Sequence, residues 1–443
     1  MRVSGRVING LSRREFMIMT GLAAAGLAAG CAVNPVTGQS QFMIVDEQQE
    51  IAVDRQQSPH QFSSDYGTVQ DRGLQDYIQA TGKRIAANTH RSHMPYDFHC
   101  VNANYVNAYA FPGGSIACTR GILLELENEA ELAALLGHEL GHVNARHTAE
   151  IMSKAALAGM AAGGLSILTG AALGSGAGKI AGQLGQLGSG ALLASYSRDN
   201  ERQADSLGME YMVRSGYGPQ GMVGLMEMLN SMNQHKAGAT DLLFATHPMS
   251  AERYQTSVSQ ATSDYRPYSS QPLFKERYMD STAGLRKIKS AIKTMQDGEA
   301  AMGKEAYSQA EGLFKQALDQ APDDYTGLLL MAKCQLIQNK DSEAERYADK
   351  ARRVYPEEAQ GCHISGIAKI RIKKYDAAYE DFSAYERLLP GNPNTVFFKG
   401  LSLEGMQKID PAAQAYIRYL KQVRQGKQAQ YAYQRLKEWG YIK

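Results

Sequence analysis

The chain has little cysteine: five in 443 residues, too few to staple a secreted scaffold together. Charge of one sign is missing as well, with 47 Lys and Arg against 45 Asp and Glu. Without a basic excess the chain is not built to bind nucleic acid. Nor does an unbroken apolar stretch reach the ~20 residues that span a bilayer as a helix. Residues 17–30 are too short, and glycines interrupt residues 155–194, where Lys179 is the only charge. What remains is 44% hydrophobic and 21% charged, the composition of a folded protein rather than a disordered one. At ~100–200 residues per domain, the length asks for two or three.

The first thirty residues read as an address. Arg13 and Arg14 precede the uncharged run 17–30, which fits a signal-peptide apolar region of the twin-arginine type. The run ends Ala28-Ala29-Gly30-Cys31, small residues before a cysteine, as in a bacterial lipoprotein signal. Cys31 is therefore expected to be the lipidated first residue of the mature protein, anchored to the outer membrane on its periplasmic side.

Next comes a region of mixed pattern. Residues 46–60 and 67–88 read as helices, with Leu74, Ile78 and Ile85 at helical spacing. Residues 96–105 and 115–119 alternate as strands of a presumed hairpin, joined through Asn107-Ala108-Tyr109-Ala110-Phe111-Pro112-Gly113-Gly114. Asn128 and Glu131 form a capping box before a leucine-rich helix. Residues 155–194 suggest an apolar lid or a membrane- or partner-facing loop, and 266–290 a Pro/Ser/Tyr-rich linker followed by a basic helix. Cys100 with Cys118, and Cys334 with Cys362, could pair in an oxidising compartment; spacing leaves this open.

The last third repeats. Pro322, Pro356 and Pro390 are 34 residues apart, as are Ala310, Ala344, Ala378 and Ala412. Gly298, Ala332, Gly366 and Gly400 form a second small-residue column, and Phe314, Ala348, Phe382 and Tyr416 an apolar one. This is the tetratricopeptide period. Four repeats fit at 291–324, 325–358, 359–392 and 393–426, with Tyr431, Leu436 and Trp439 capping the stack. Its concave face is the expected binding surface.

The chemistry sits at 138–205. In His138-Glu139-Leu140-Gly141-His142 the histidines are four apart on a helix, so both imidazoles can hold one Zn²⁺. Glu139 then stands where it can take a proton from the attacking water. Glu201 is the favoured third ligand over His147, which on a continuous helix points about 140° away from His142. Asp205, one turn beyond Glu201, can orient a ligand imidazole. His247 stabilises the oxyanion, occupies the open ligand position in a resting state, or is merely structural; Arg253 is a further orienting or transition-state candidate.

These motifs resemble, in residue and order, the gluzincin zinc metallopeptidase family that includes the CAAX prenyl endopeptidase and the heat-shock membrane protease. The segments that carry the likeness are 107–114, Thr119-Arg120-Gly121, His138 to His142, Ser197 to Asp205, and Thr246-His247-Pro248. The chain is most similar to the exported branch joined to tetratricopeptide repeats, and departs from the membrane members in lacking transmembrane helices. The resemblance implies an α+β, mainly helical peptidase domain at 31–265 with a small sheet. It also implies one zinc per chain, and Asn107, Ala108, Tyr109 and Ala110 as the edge strand along which substrate pairs. The expected function is zinc-dependent endopeptidase action on misfolded or misassembled envelope proteins, with the repeats at 291–443 recruiting substrate or the outer-membrane assembly machinery. The rival is a chaperone or scaffold with a closed or vestigial site. Because every candidate ligand precedes the linker, catalysis and recognition are expected to separate near residue 270.

Overall fold

The computed structural model describes residues 31–161, 195–235 and 238–442. The expected export signal at 1–30 lies outside the described residues, as does most of the expected lid.

An antiparallel hairpin, β1 (Cys31–Val33) and β2 (Ser40–Phe42), opens the described chain. Helices α1 (Glu47–Ser64) and α2 (Arg72–Ala86) follow; Leu74, Ile78 and Ile85 of α2 are buried as their spacing predicts. The main sheet has three strands, β3 (Asp97–Val101), β4 (Ala108–Ala110) and β5 (Ser115–Thr119), in the order β3-β5-β4. Here the hairpin expectation fails. β3 and β5 run parallel with Cys100 opposite Cys118, and β4 pairs antiparallel on the outer side of β5. The apolar, almost wholly buried β5 takes the centre, as a strand covered on both faces does. The four described cysteines, 100, 118, 334 and 362, are free thiols, all buried.

Helix α3 (Glu129–Asn144) is buried along its whole length and packs against α2, β4, β5 and two later helices, α5 (Arg198–Arg214) and α6 (Gln220–His235). Asn128 caps it, accepting from the Glu131 amide at 3.0 Å, while the Glu131 carboxylate receives the Glu127 amide rather than the cap residue's own. Arg146, at φ 60°, breaks the chain between α3 and α4 (His147–Ala161). Helix α7 (Ala251–Thr262) completes this half.

Residues 266–290 are no tether. Buried Tyr278 donates to the Leu123 carbonyl at 2.6 Å, and Arg286 to that of Leu126 at 2.6 Å. Arg277 grips Glu129 while stacking 3.8 Å over Phe274.

The repeat half is a right succession of helix pairs: α8 (Lys289–Gly303) with α9 (Tyr307–Gln320), α10 (Tyr325–Ile337) with α11 (Asp341–Val354), α12 (Gln360–Arg371) with α13 (Tyr375–Leu388), and α14 (Pro393–Gly405) with α15 (Ile409–Gln422). Helix α16 (Lys427–Glu438) closes the end, with Leu436 buried and Trp439 stacked on Tyr416. The two sequence columns meet inside each pair. A Cβ on Gly298, Gly366 or Gly400 would come within 2.4, 2.7 and 2.7 Å of the Phe314, Phe382 and Tyr416 rings. In the second pair both partners change together, to Ala332 and Ala348. Within each pair the turn is made by an exposed non-glycine residue in the left-handed region, Glu305, Asn339, Lys373 and Gln407, at φ 59–61°.

Residue 265 divides the chain by chemistry but not by packing. One hydrophobic cluster runs from Leu74, Ile122 and Leu140 through Leu285, Ile292 and Met295 to Leu329 and Ile364. Arg120 pairs with Asp324 at 2.6 Å, their side chains 3% and 6% exposed. Glu299 accepts from Asn104, the Lys333 ammonium lies 4.5 Å over the Tyr66 ring, and Glu358 accepts from Ser63 and Tyr325. Residues of α8 and α10, the first helices of the first two repeats, are thus seated on the peptidase half, so this part of the stack is covered.

Candidate metal centre

Two helices build the site by crossing almost backbone to backbone. A Cβ on Gly141 would lie 2.9 Å from the Ala204 Cα, and one on Gly137 2.9 Å from the Gly208 carbonyl oxygen. At so close a crossing a short carboxylate on α5 reaches the histidines of α3. His142 Nε2 stands 3.1 Å from His138 Nε2 and 3.3 Å from Glu201 Oε1, and His138 Nε2 is 3.6 Å from Glu201 Oε2. His247 Nδ1 completes the group, 3.1 Å from Glu201 Oε1 and 3.4 Å from His138 Nε2. Ligands about 2.1 Å from a tetrahedral ion lie about 3.4 Å from one another, close to these separations, and one ligand atom from each of the four residues lies within 4.8 Å of every other. All four residues are buried. Glu139 is also buried, and its Oε2 has no hydrogen-bond partner, the condition of a base facing the place of a reacting water.

Surrounding groups hold this set rigid. Asp205 Oδ1 lies 2.9 Å from His138 Nδ1, the orienting position its spacing predicts. Arg253 reaches both carboxylates: Nε and Nη2 donate to Asp205 at 2.7 Å each, and Nη1 pairs with Glu201 Oε2 at 2.7 Å. Arg253 is thus bound to the Glu201 and Asp205 carboxylates together. His147 is behind the ligands, its Nδ1 3.0 Å from His142 Nδ1 and its Nε2 2.9 Å from Gln203 Oε1. The 140° projection assumed one continuous helix, and the break at Arg146 puts His147 at the start of another. Sequence reasoning missed Tyr196, whose ring stacks on His142 at 3.8 Å and whose amide donates to the Thr246 carbonyl at 3.1 Å. Its only signal is an aromatic directly before the Ser197 cap.

Electrostatics follow from burial set against contact. Burial raises the Glu139 carboxyl above its ordinary range and outweighs the opposing histidines. For Glu201 burial pulls the same way, but His247, His142 and His138 overcome it and hold the carboxyl well below that range. Burial drives His142 far down, leaving it a neutral ligand. Asp205, despite burial, is lowered by the Arg253 guanidinium.

Beside the helices, β4 is an edge strand packed against α3. Ala108 and Tyr109 are buried and Ala110 half-buried. Asn107, just before it, is fully buried, yet neither side-chain amide atom has a partner. Arg120 of the Thr119-Arg120-Gly121 motif takes no part in the site and serves the contact with the repeats.

Helix-borne histidines, a carboxylate from a second helix and an adjacent edge strand define the gluzincin class of metallopeptidases. Residues 73–260 match peptidase family M48, and residues 301–361 a tetratricopeptide repeat. The metalloprotease YcaL of Escherichia coli is 32% identical over 193 residues, 44% of this chain and 69% of that protein. The beta-barrel assembly-enhancing protease of Yersinia pestis is 31% identical over 197 residues, 44% of this chain. The chain spans 40% of the length of that relative. The mitochondrial metalloendopeptidase OMA1 of Schizosaccharomyces pombe is 32% identical over 179 residues, 40% of this chain and 50% of that protein. The chain belongs to peptidase family M48. Among the described residues no helix is long and apolar enough to cross a membrane.

Proposed function

We propose that the protein is an exported zinc endopeptidase that cleaves misfolded or misassembled envelope proteins, lipid-anchored through Cys31 on the periplasmic side of the outer membrane. The buried cluster of His138, His142 and Glu201 beside Glu139, whose Oε2 has no hydrogen-bond partner, carries this reading. A zinc ion held there would polarise the scissile carbonyl and acidify the attacking water. Glu139 takes the proton of that water and passes it to the leaving amine; its raised pKa suits a group that both accepts and returns a proton. An extended substrate pairs along Ala108, Tyr109 and Ala110, and the Asn107 amide supplies the hydrogen bonds its burial leaves unmade. Asp205 and Arg253 hold the ligands in place. His247, whose Nδ1 lies 3.1 Å from Glu201 Oε1, would be able to hold the ion as a fourth residue in a resting state. The repeats recruit substrate or assembly machinery through what the peptidase half leaves free, and the names of the assembly-enhancing relatives support an envelope role.

Zinc analysis and casein cleavage by the full chain test this. Glu139→Gln retains one zinc per chain while cleavage falls about 10²–10⁴-fold, and His142→Ala loses the metal. His247→Ala raises cleavage if His247 fills the fourth position and lowers it if it stabilises the oxyanion. Undiminished cleavage in Glu139→Gln removes the mechanism.

A further inference from the structure

We infer that the β1–β2 hairpin is a membrane-seating surface that holds the cleft at a fixed height above a lipid bilayer. This rests on the acylation of Cys31 proposed above. Cys31 is itself the first residue of β1, so no slack separates an anchor there from the folded body.

The hairpin is bound firmly to the peptidase half. Asn34, 7% exposed, holds its turn by accepting the Val36 and Thr37 amides and donates to the Ala145 carbonyl at 3.3 Å. Gln41 donates to Glu150 of α4 at 2.8 Å, and Ser153 accepts the Ile44 amide at 3.1 Å. Gln41 stands opposite Ala32 in the ladder, so that face of the hairpin lies on α4. With a strand period of two, Val33 lies on the opposite face.

On that opposite face Val33 lies across the ladder from exposed Ser40. Val33 is 66% exposed and Ile44, just past β2, 39%. Among the described residues up to 265, no other large apolar side chain is so exposed. Both therefore sit beside the position where the uncharged run 17–30 ends. Two such side chains next to acyl chains insert at the headgroup level, where apolar area leaves water at about 25 cal/mol per Å². Asn34 is three residues past Cys31, and Ala145 three residues past His142. At ~3.3 and ~1.5 Å per residue plus the contact between them, the anchor is within about 25 Å of the metal ligands. The substrates favoured are then chains lying at the bilayer surface.

The test uses the acylated full chain in vesicles of phosphatidylethanolamine and phosphatidylglycerol. Val33→Cys, Ile44→Cys and, as the remote control, Tyr431→Cys each carry a nitrobenzoxadiazole label; the other described cysteines are buried. Emission at positions 33 and 44 should shift to the blue and be quenched severalfold more than at 431 by lipids carrying a shallow nitroxide. Labels at 33 and 44 that behave like the one at 431, on protein that sediments with the vesicles and has the acylated mass, overturn the seating surface and leave the anchor standing. A mass without acyl chains, with protein left in the supernatant, overturns both.

Discussion

The two halves bury opposite things. Helix α3 of the peptidase half hides three glutamates and two histidines among leucines, and α5 hides Glu201 and Asp205. The repeat helices bury mostly alanine and aromatic rings; α9, for example, buries Ala310, Phe314 and Ala317. Buried polar groups are costly unless satisfied, so the peptidase half spends rigidity on holding its carboxylates, through Arg253 above all. The repeat half carries fewer such demands: inside it Asp381 pairs with Lys369 at 2.8 Å and accepts from Ser365 at 2.6 Å. Further polar pairs join the halves, at Arg120 with Asp324 and Asn104 with Glu299.

That contact is where the contrast breaks first. Arg120→Ala strands Asp324 in a buried place, and should cost about 3–5 kcal/mol. Because one core runs through both halves, chemical denaturation followed by tryptophan fluorescence, which reports on Trp439 in the repeats, and by far-UV circular dichroism should still show one shared midpoint, moved downward. Two separated midpoints would mean that the halves melt independently.

Packing by shape gives the next largest effect. Gly366→Ala puts a methyl group against the Phe382 ring and should cost about 1–3 kcal/mol, read as a lower denaturant midpoint. Ala332→Gly, facing the small Ala348, meets no ring and should cost no more than about 1 kcal/mol.

A smaller effect depends on pH. His363 sits among Phe382, Tyr385 and Phe398 at ring distances of 5.8, 5.4 and 5.6 Å, its Nδ1 without a partner. Burial and then the nearby Lys333 charge push its pKa down to about 4. The unfolded chain takes up that proton near the ordinary value of about 6.5, so acid favours unfolding and stability is lost as pH falls from about 6.5 towards 4. His363→Gln should lose less stability than the parent between pH 7 and pH 5.

The smallest is a gain. Lys373 holds the left-handed conformation that glycine adopts freely. Lys373→Gly should raise the thermal midpoint, by up to about 1 kcal/mol in stability.

How much of this was legible in the sequence follows from the same contrast. The repeats were readable down to single columns because each contact recurs every 34 residues and is local. The gathering of His138, His142 and Glu201 into one cluster was readable because helical geometry puts residues four apart on one face, and Gly141 and Ala204 stood in the motifs that cross. The strand order was not: β4 has three residues, and a short strand carries too little alternation to show which neighbour it joins. Tyr196 and the Arg146 break were hidden because stacking and left-handed backbone leave no periodic trace. The seating of the repeats on the peptidase half depends on pairs such as Arg120 with Asp324, two hundred residues apart in round numbers, which no local pattern encodes.

The paired columns inside the repeats also bear on how such a stack can change over generations. Gly298 with Phe314, Gly366 with Phe382 and Gly400 with Tyr416 are lock and key within one helix pair, and Ala332 with Ala348 is a different lock with a different key. Duplication or recombination that moves a whole 34-residue unit carries both halves of the match and leaves the interior intact. A crossover inside a unit, joining α10 to α13, would set an alanine methyl against a phenylalanine ring. The smallest inheritable module of this stack is the helix pair, not the helix.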